Sequence, residues 1–187
     1  SQASGIAFKT VSKKTYILTA DHFCESYADD SVSLENGDIS FGSILYVENY
    51  LGHSWPATVI ARDKPTDLCL VSTDEMPPVK TIKLAKGMPK IGSDIYTVSE
   101  PLGIGPNGTA LHFTGKFSGC DTEGDCYYSI PATFGSSGSI VLNDKGEMVG
   151  MIQKAIIMLQ VMSIGVGADD IEKFLNYATE LTGDNLL

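Results

Sequence analysis

Tyr16-Ile17-Leu18-Thr19-Ala20-Asp21-His22 is the stretch on which the fold turns, an apolar strand that runs out onto a histidine. Two later stretches complete it. Thr66-Asp67-Leu68-Cys69-Leu70-Val71 sets an aspartate at the mouth of an apolar strand, and Phe134-Gly135-Ser136-Ser137-Gly138-Ser139 sets serines between glycines. A serine hydroxyl is a poor nucleophile at neutral pH. It needs an imidazole to take its proton and a carboxylate to orient and stabilise that imidazole. His22, Asp67 and Ser137 are the candidates for those roles. A Gly-x-Ser-Gly string arises easily by chance in a chain with 19 glycines, so the weight lies in the order of the three stretches and in their neighbours.

Composition bounds the remaining choices. A length of 187 residues suits one compact unit, or two small subdomains sharing an interface, and is enough to bury a core. Apolar residues make up 43% and charged ones 19%, the profile of a folded, turn-rich chain. The formal charge of -10, with no Lys/Arg cluster, argues against nucleic acid or an anionic membrane surface as partner. The longest apolar stretch, Ala155 to Val161, is too short to span a bilayer. No signal peptide is visible at Ser1-Gln2-Ala3-Ser4-Gly5, although a trimmed form would have lost one. A periplasmic or secreted mature domain and a virus-encoded one both stay open. So does the oligomeric state.

Short strands punctuated by Gly, Pro, Asn and Asp predict an all-β barrel or sandwich. The strands expected are Ile6–Val11, Thr15–Thr19, Ile39–Val47, Trp55–Arg62, Leu68–Ser72, Asp94–Ser99, Ala110–Ser118, Ser139–Leu142, Glu147–Gln153 and Leu159–Val166. Ala168 to Leu181 breaks the rule. Ile171, Phe174, Leu175, Ala178 and Leu181 recur at helical spacing, with Asp169 and Glu172 as a capping box and Gly183 as a stop. The polar stretch Thr73 to Pro78 divides the strands into two groups, which predicts two β subdomains, residues 1–78 with His22 and Asp67, and residues 79–187 with Ser137 and the helix 168–181. Of the four cysteines, Cys69 reads as a buried thiol, while Cys120 and Cys126 are read equally well as a small disulfide-bonded hairpin or as a reduced pair. The acidic loop between them has its glycine, Gly124, out of the position that a calcium loop requires, and lacks the distal Glu.

The chain resembles the trypsin-like (chymotrypsin-fold) serine proteases, most of all the HtrA/Deg-type protease domain. Ser4-Gly5-Ile6-Ala7-Phe8 followed by Tyr16 to His22 is similar to the family's opening strand pair. Ala57 to Val71 is similar to the segment with the catalytic Asp, Lys90 to Gly103 to the first strand of the second barrel with its Pro-x-Gly turn, and Pro131 to Gly150 to the nucleophile loop and following hairpin. The resemblance implies two packed six-stranded antiparallel β-barrels with a C-terminal α-helix. It also implies a serine endopeptidase that forms an acyl-enzyme on Ser137, with the N–H groups of Gly135 and Ser137 as oxyanion hole. No cofactor or metal is implied, since three scattered histidines give no zinc site.

The competing residues are set aside on physical grounds. Asp21 adjoins His22, and neighbours on an extended chain point to opposite sides. Asp63, between Arg62 and Lys64, reads as a solvated turn charge, and His53 and His112 lack acidic company. Ser136 stands where digestive trypsins have the Asp that receives a new N-terminus, which excludes that route of activation. Ser139 and Ile140 replace the usual Gly and Pro after the nucleophile, the chain is expected to begin near the second strand of the family's first barrel, with an initial strand missing or lying upstream, and no peptide-binding PDZ module is expected after the helix. By resemblance, a polypeptide substrate lies as an extended strand along the second barrel, and its side chain enters a pocket built from Ile130, Pro131, Ile152, Gln153 and Lys154. No acidic residue lies in the pocket segments, so a small to medium apolar side chain is favoured over Lys or Arg, with Lys154 offering an acidic alternative. The rival function is a catalytically silent relative that binds extended peptides. An esterase of another fold fits poorly, because there the histidine follows the serine in the chain.

Overall fold

A computed structural model describes residues 2–27, 34–35, 38–39, 44–105, 108–156, 158–159 and 161–187. The first half of the chain holds β1 (Gly5–Val11), β2 (Lys14–Ala20), a helical turn α1 (Asp21–Cys24), β3 (Leu34–Glu35), β4 (Asp38–Ile39), β5 (Leu45–Glu48), β6 (Ser54–Asp63) and β7 (Leu68–Thr73). After a linker come β8 (Asp94–Ser99), β9 (Leu111–Cys120), β10 (Cys126–Tyr128), β11 (Ile140–Leu142), β12 (Met148–Ala155), β13 (Ser163–Gly167) and the helix α2 (Ala168–Thr182). The second set closes into a six-stranded barrel in the order β10-β13-β12-β11-β8-β9. The first set differs from the closed barrel expected: it forms an open five-stranded sheet, β1-β2-β7-β6-β5, with β3 and β4 as a separate ribbon. Its edges are β1 and β5, and no described strand bridges them.

Three details depart from the sequence reading. The strand expected over 39–47 is divided between β4 and β5, and its residues 40–43 lie outside those described. Strand β10 was not expected: only three residues long, it is too short to display a period. The strand expected from Leu159 begins only at Ser163, after Leu159 N–H and Met162 N–H have closed turns onto the carbonyls of Ile156 and Leu159.

The central strands of the first sheet explain its stability. Residues 15–20 of β2 and all of β7 are buried, so both faces are covered. Alternation sends Tyr16, Leu18, Leu68 and Leu70 to one side, into the largest core. Ile17, Cys69 and Val71 go to the other side, with Cys24 and Leu45. The largest core also takes in Ile140, Met148, Met151 and Val166 of the barrel and Ile171, Phe174, Leu175 and Ala178 of α2. The helix thus seals sheet to barrel. Its N-cap is Gly167 with no side-chain cap, so the expected capping box does not form. Asp169 and Asp170 instead lie in the first turn, where the helix dipole favours negative charge. Gly183 ends the helix in the left-handed region (φ 75°), its N–H on the Thr179 carbonyl.

Cys69 is not the buried thiol expected but forms a disulfide with Cys24, and Cys120 is joined to Cys126 across β9 and β10. The first partnership is invisible in sequence because only the pairing of β2 with β7 brings the end of α1 over β7. The bridged residues are 45 and 6 apart; on chain-entropy grounds, replacing both cysteines by Ala costs about 4 kcal/mol for the first pair and about 2 kcal/mol for the second. Denaturant unfolding of the two double variants checks that order. Tyr16 donates to Asp184 at 2.6 Å, and burial together with this carboxylate pushes the phenol up from 10.0 to about 12. The folded state therefore holds this proton more tightly than the unfolded state. The stability this contributes is complete below pH 10 and is lost as pH rises to about 12. A Tyr16→Phe variant will lack that part of the alkaline decline when unfolding midpoints are compared across the range.

Candidate active site

Pairing of β2 with β7 builds half of the site. The strands run antiparallel with Ala20 opposite Leu68, so the residues just after β2 and just before β7 meet at one end of the sheet. Asp21 N–H donates to the Asp67 carbonyl at 3.1 Å, and His22 N–H donates to Asp67 Oδ1 at 2.8 Å. The imidazole Nδ1 stands 2.9 Å from Oδ2 and 3.1 Å from Oδ1. An ionised carboxylate can only accept, so Nδ1 carries the proton and Nε2 of the neutral ring keeps its lone pair. With the side chains 52% and 21% exposed, this pair adds little to stability. Its effect is orientation.

Asp67 itself has φ 50°, a left-handed conformation that Asp tolerates better than most residues. Its carbonyl takes hydrogen bonds from Asp21 N–H and, at 3.1 Å, from Gln153 Nε2, which also bonds the Thr66 carbonyl. Gln153 is 5% exposed and belongs to β12, so the barrel grips the carboxylate loop of the sheet. Asp21, sequence neighbour of His22, turns inward and is held by Arg62 through Nε at 2.6 Å and Nη2 at 3.1 Å. Asp63 accepts the Thr66 hydroxyl at 2.5 Å.

Ser137 comes from the barrel, in the loop before β11. Its hydroxyl donates to the Gln153 carbonyl at 2.8 Å, and among the described residues it makes no hydrogen bond to His22. The backbone around it is fixed by its carbonyls: Phe134 C=O accepts from Leu102 N–H at 2.6 Å, Gly135 C=O from Ser4 Oγ at 2.7 Å, Ser136 C=O from Ser139 N–H at 3.1 Å and Ser137 C=O from Ser4 N–H at 2.9 Å. The C=O and N–H of a trans peptide point opposite ways, and no peptide bond among the described residues is cis. Gly135 N–H and Ser137 N–H are thereby turned away from those donors, and neither has an acceptor among the described residues. Gly135 has φ +88°, and a Cβ there would lie 2.8 Å from the Glu100 carbonyl oxygen. Gly138 has φ +87°, and a Cβ there would lie 2.0 Å from the Ser4 carbonyl oxygen. Glycine is demanded twice over at both positions. Ser139 Oγ is buried with no hydrogen-bond partner among the described residues.

His22, Ser137 and Gln153 line one cavity of about 750 Å³, whose other walls include Phe113, Pro131, Ala132, Phe134, Ala155 and Ile156. Of the residues expected to form a pocket, Pro131 and Gln153 line it, Ile130 and Ile152 are buried inside the barrel core, and Lys154 is exposed away from it. A register shift of β12 against β13 between Ile152 and Lys154, and a bend of the chain at Ile130, set these directions, which a sequence window does not display. Phe113 went unmarked because it is distant in sequence, on β9. A larger cavity of about 950 Å³ beside β1 and β5 contains none of His22, Asp67 and Ser137. Among the described residues no three His, Cys, Asp or Glu side chains are grouped to hold a metal ion. No described helix is long and apolar enough to cross a membrane.

The trypsin-like peptidase domain family matches the chain over residues 3–151. The chain is 25% identical over 191 residues to a protein called serine protease HtrA-like from Staphylococcus aureus strain USA300, and equally to that of strain NCTC 8325. The match covers 92% of this chain and 23% of the relative, so the chain spans about a quarter of the length of the curated relatives it matches. Among solved structures it is similar to the serine endoprotease of Yersinia pestis, with a TM-score of 0.73 and 19% identity over 97% of this chain and 58% of that one. It is also similar to a protein of M. tuberculosis H37Rv crystallised as an inactive serine-to-alanine mutant, with a TM-score of 0.66 and 16% identity over 96% and 82%.

The glycine geometry yields a stability test. Gly146 has φ +73° with nothing within 4 Å of a Cβ, whereas Gly138 meets the Ser4 carbonyl. Alanine at 146 will cost roughly 1 kcal/mol for the backbone alone, and alanine at 138 at least twice that in denaturant unfolding.

Proposed function

Since the chain belongs to the trypsin-like peptidase domain family, we propose that it is a serine endopeptidase cutting peptide bonds through an acyl-enzyme on Ser137. The observation that carries this reading is the imidazole of His22, seated on Asp67 at 2.9 Å, on the wall of the same cavity as the Ser137 hydroxyl. The Ser137 hydroxyl rotates from the Gln153 carbonyl to His22 Nε2 and passes its proton there as Oγ bonds to the scissile carbonyl carbon. The oxyanion so formed takes hydrogen bonds from Gly135 N–H and Ser137 N–H. His22 returns the proton to the leaving amine nitrogen, and the C–N bond breaks. Water, deprotonated by His22, then attacks the ester, releases the new carboxylate and restores the serine. Asp67 stays ionised throughout and holds the imidazole in place.

The Gln153 carbonyl links substrate binding to this step. A peptide adding as an extended strand to β12 seeks that carbonyl as acceptor, and in taking it frees the Ser137 hydroxyl for His22. The cavity walls are largely apolar and carry neither an acidic residue nor Lys154, which supports a small to medium apolar side chain before the cut. The reading extends to architecture: two packed barrels, residues 1–78 supplying His22 and Asp67, and residues 79–187 supplying Ser137. A silent peptide-binding relative is the second reading, favoured by the hydrogen bond that turns Ser137 toward Gln153 instead of His22.

One experiment separates the two. A fluorophosphonate probe will label the folded protein, and Ser137→Ala will abolish labelling. A folded wild type that stays unlabelled decides for the silent relative. Asp67→Asn will keep the fold and lower kcat roughly 10⁴-fold, the size of effect known for loss of the orienting carboxylate. Cleavage profiling on a peptide library will show apolar residues before the cut.

A further inference from the structure

The nucleophile loop is clamped from outside the barrel by one small residue. Ser4, half-buried just before β1, makes four hydrogen bonds to three other parts of the chain. Its N–H donates to the Ser137 carbonyl at 2.9 Å, and its hydroxyl donates to the Gly135 carbonyl at 2.7 Å. The same hydroxyl oxygen accepts Glu100 N–H at 3.3 Å, while the Ser4 carbonyl accepts the Thr19 hydroxyl at 2.7 Å. Thr19 lies in β2, three residues before His22, and Glu100 precedes the 3₁₀ turn Pro101–Gly103. The Ser4 carbonyl also lies where a Cβ on Gly138 would have to go, so the contact leaves no slack.

We infer that Ser4 is a positioning residue for the oxyanion-binding loop, fixing the direction of the Gly135 and Ser137 N–H groups. The inference rests on the serine-peptidase reading above. Gly135 is the weak point of the loop, because a residue without Cβ rotates freely in the left-handed region it occupies at φ +88°. The peptide before it is held by Leu102 N–H and the peptide after it by the Ser4 hydroxyl. Among the described residues the Gly135 carbonyl has no other donor. With the hydroxyl gone, the peptide after Gly135 is tied only within its own loop, by Ser136 N–H to the Thr133 carbonyl at 3.0 Å, and the donors lose their fixed aim before the reaction begins. Oxyanion donors work because they are oriented in advance. Ser4 does not line the cavity beside Ser137, so its hydroxyl affects the developing charge and not the binding of the peptide side chain.

The test compares wild type with Ser4→Ala, Ser4→Thr and, as control, Ser12→Ala, whose hydroxyl makes a 3.4 Å bond to Asp184 in an exposed turn. The readouts are the rate of Ser137 modification by a fluorophosphonate probe, kcat and KM on a fluorogenic peptide with an apolar residue before the cut, and the unfolding midpoint. Ser4→Ala is expected to slow both modification and kcat roughly tenfold, the worth of one such hydrogen bond, with KM unchanged. Ser4→Thr, which keeps the hydroxyl, recovers most of the loss, and Ser12→Ala matches wild type. Wild-type rates in Ser4→Ala overturn the inference. So does a loss that appears in KM, that Thr fails to recover, or that merely tracks a lowered unfolding midpoint. A wild type that is folded but never modified overturns the peptidase reading and this inference with it, an outcome distinct from a modified wild type matched by Ser4→Ala.

Discussion

The register of β2 against β7 is the constraint from which the rest follows. With Ala20 opposite Leu68, the chain leaving β2 and the chain entering β7 must share one end of the sheet. His22 and Asp67 are neighbours for that reason, and Cys24 comes within reach of Cys69 for the same one. A slip of one residue would turn Leu18 and Leu70 out of the core they share and part the imidazole from the carboxylate. Burial of both faces of both strands makes such a slip costly. The geometry of the candidate site is thus secured by hydrophobic packing, while the exposed His22–Asp67 contact contributes direction.

The second half of the site depends on how the barrel meets the sheet. Gln153 reaches from β12 to the backbone of Thr66 and Asp67 with its side chain, and its own carbonyl receives the Ser137 hydroxyl. Ser4 reaches the other way, from the edge of the sheet to the loop around Ser137. Beneath these polar ties, the core shared by Phe8, Leu18, Met151 and the α2 residues Ile171 and Phe174 leaves little freedom for the two halves to shift. The proposed reaction requires such a fixed arrangement, since an error of about 1 Å among reacting groups forfeits much of a rate.

A strand with alternating burial, such as β8, was legible because its side chains carry the period directly. The amphipathic spacing of α2 was legible too, though its cap was misread. Asp169 and Glu172 have the right spacing for a capping box, but the N-cap lies two residues earlier, at Gly167, where β13 runs directly into the helix. The short strand β10 and the Cys24–Cys69 bridge left no local trace. In the candidate site, residues flanked by distinctive neighbours stood out, while of the expected pocket walls Pro131 and Gln153 line the cavity and the others do not. Ile130 and Ile152 were placed one step out of phase with the cavity, and Phe113 contributes from a strand with no sequence link to it.

By itself the sequence determined the kinds of chemistry available and the local conformations that carry them. A histidine at the end of an apolar strand, an aspartate at the start of another and a serine between two glycines follow from residue identity and short-range spacing. The glycines at 135 and 138 could be recognised because positive φ is a local property. Tertiary structure alone decided that the Ser137 hydroxyl faces the Gln153 carbonyl, that Gln153 braces Asp67, and that Ser4 holds the carbonyl of Gly135. Those contacts join residues between 16 and 131 positions apart. Their partners are selected by the packing of whole strands, and no local pattern encodes which distant backbone carbonyl a side chain will meet.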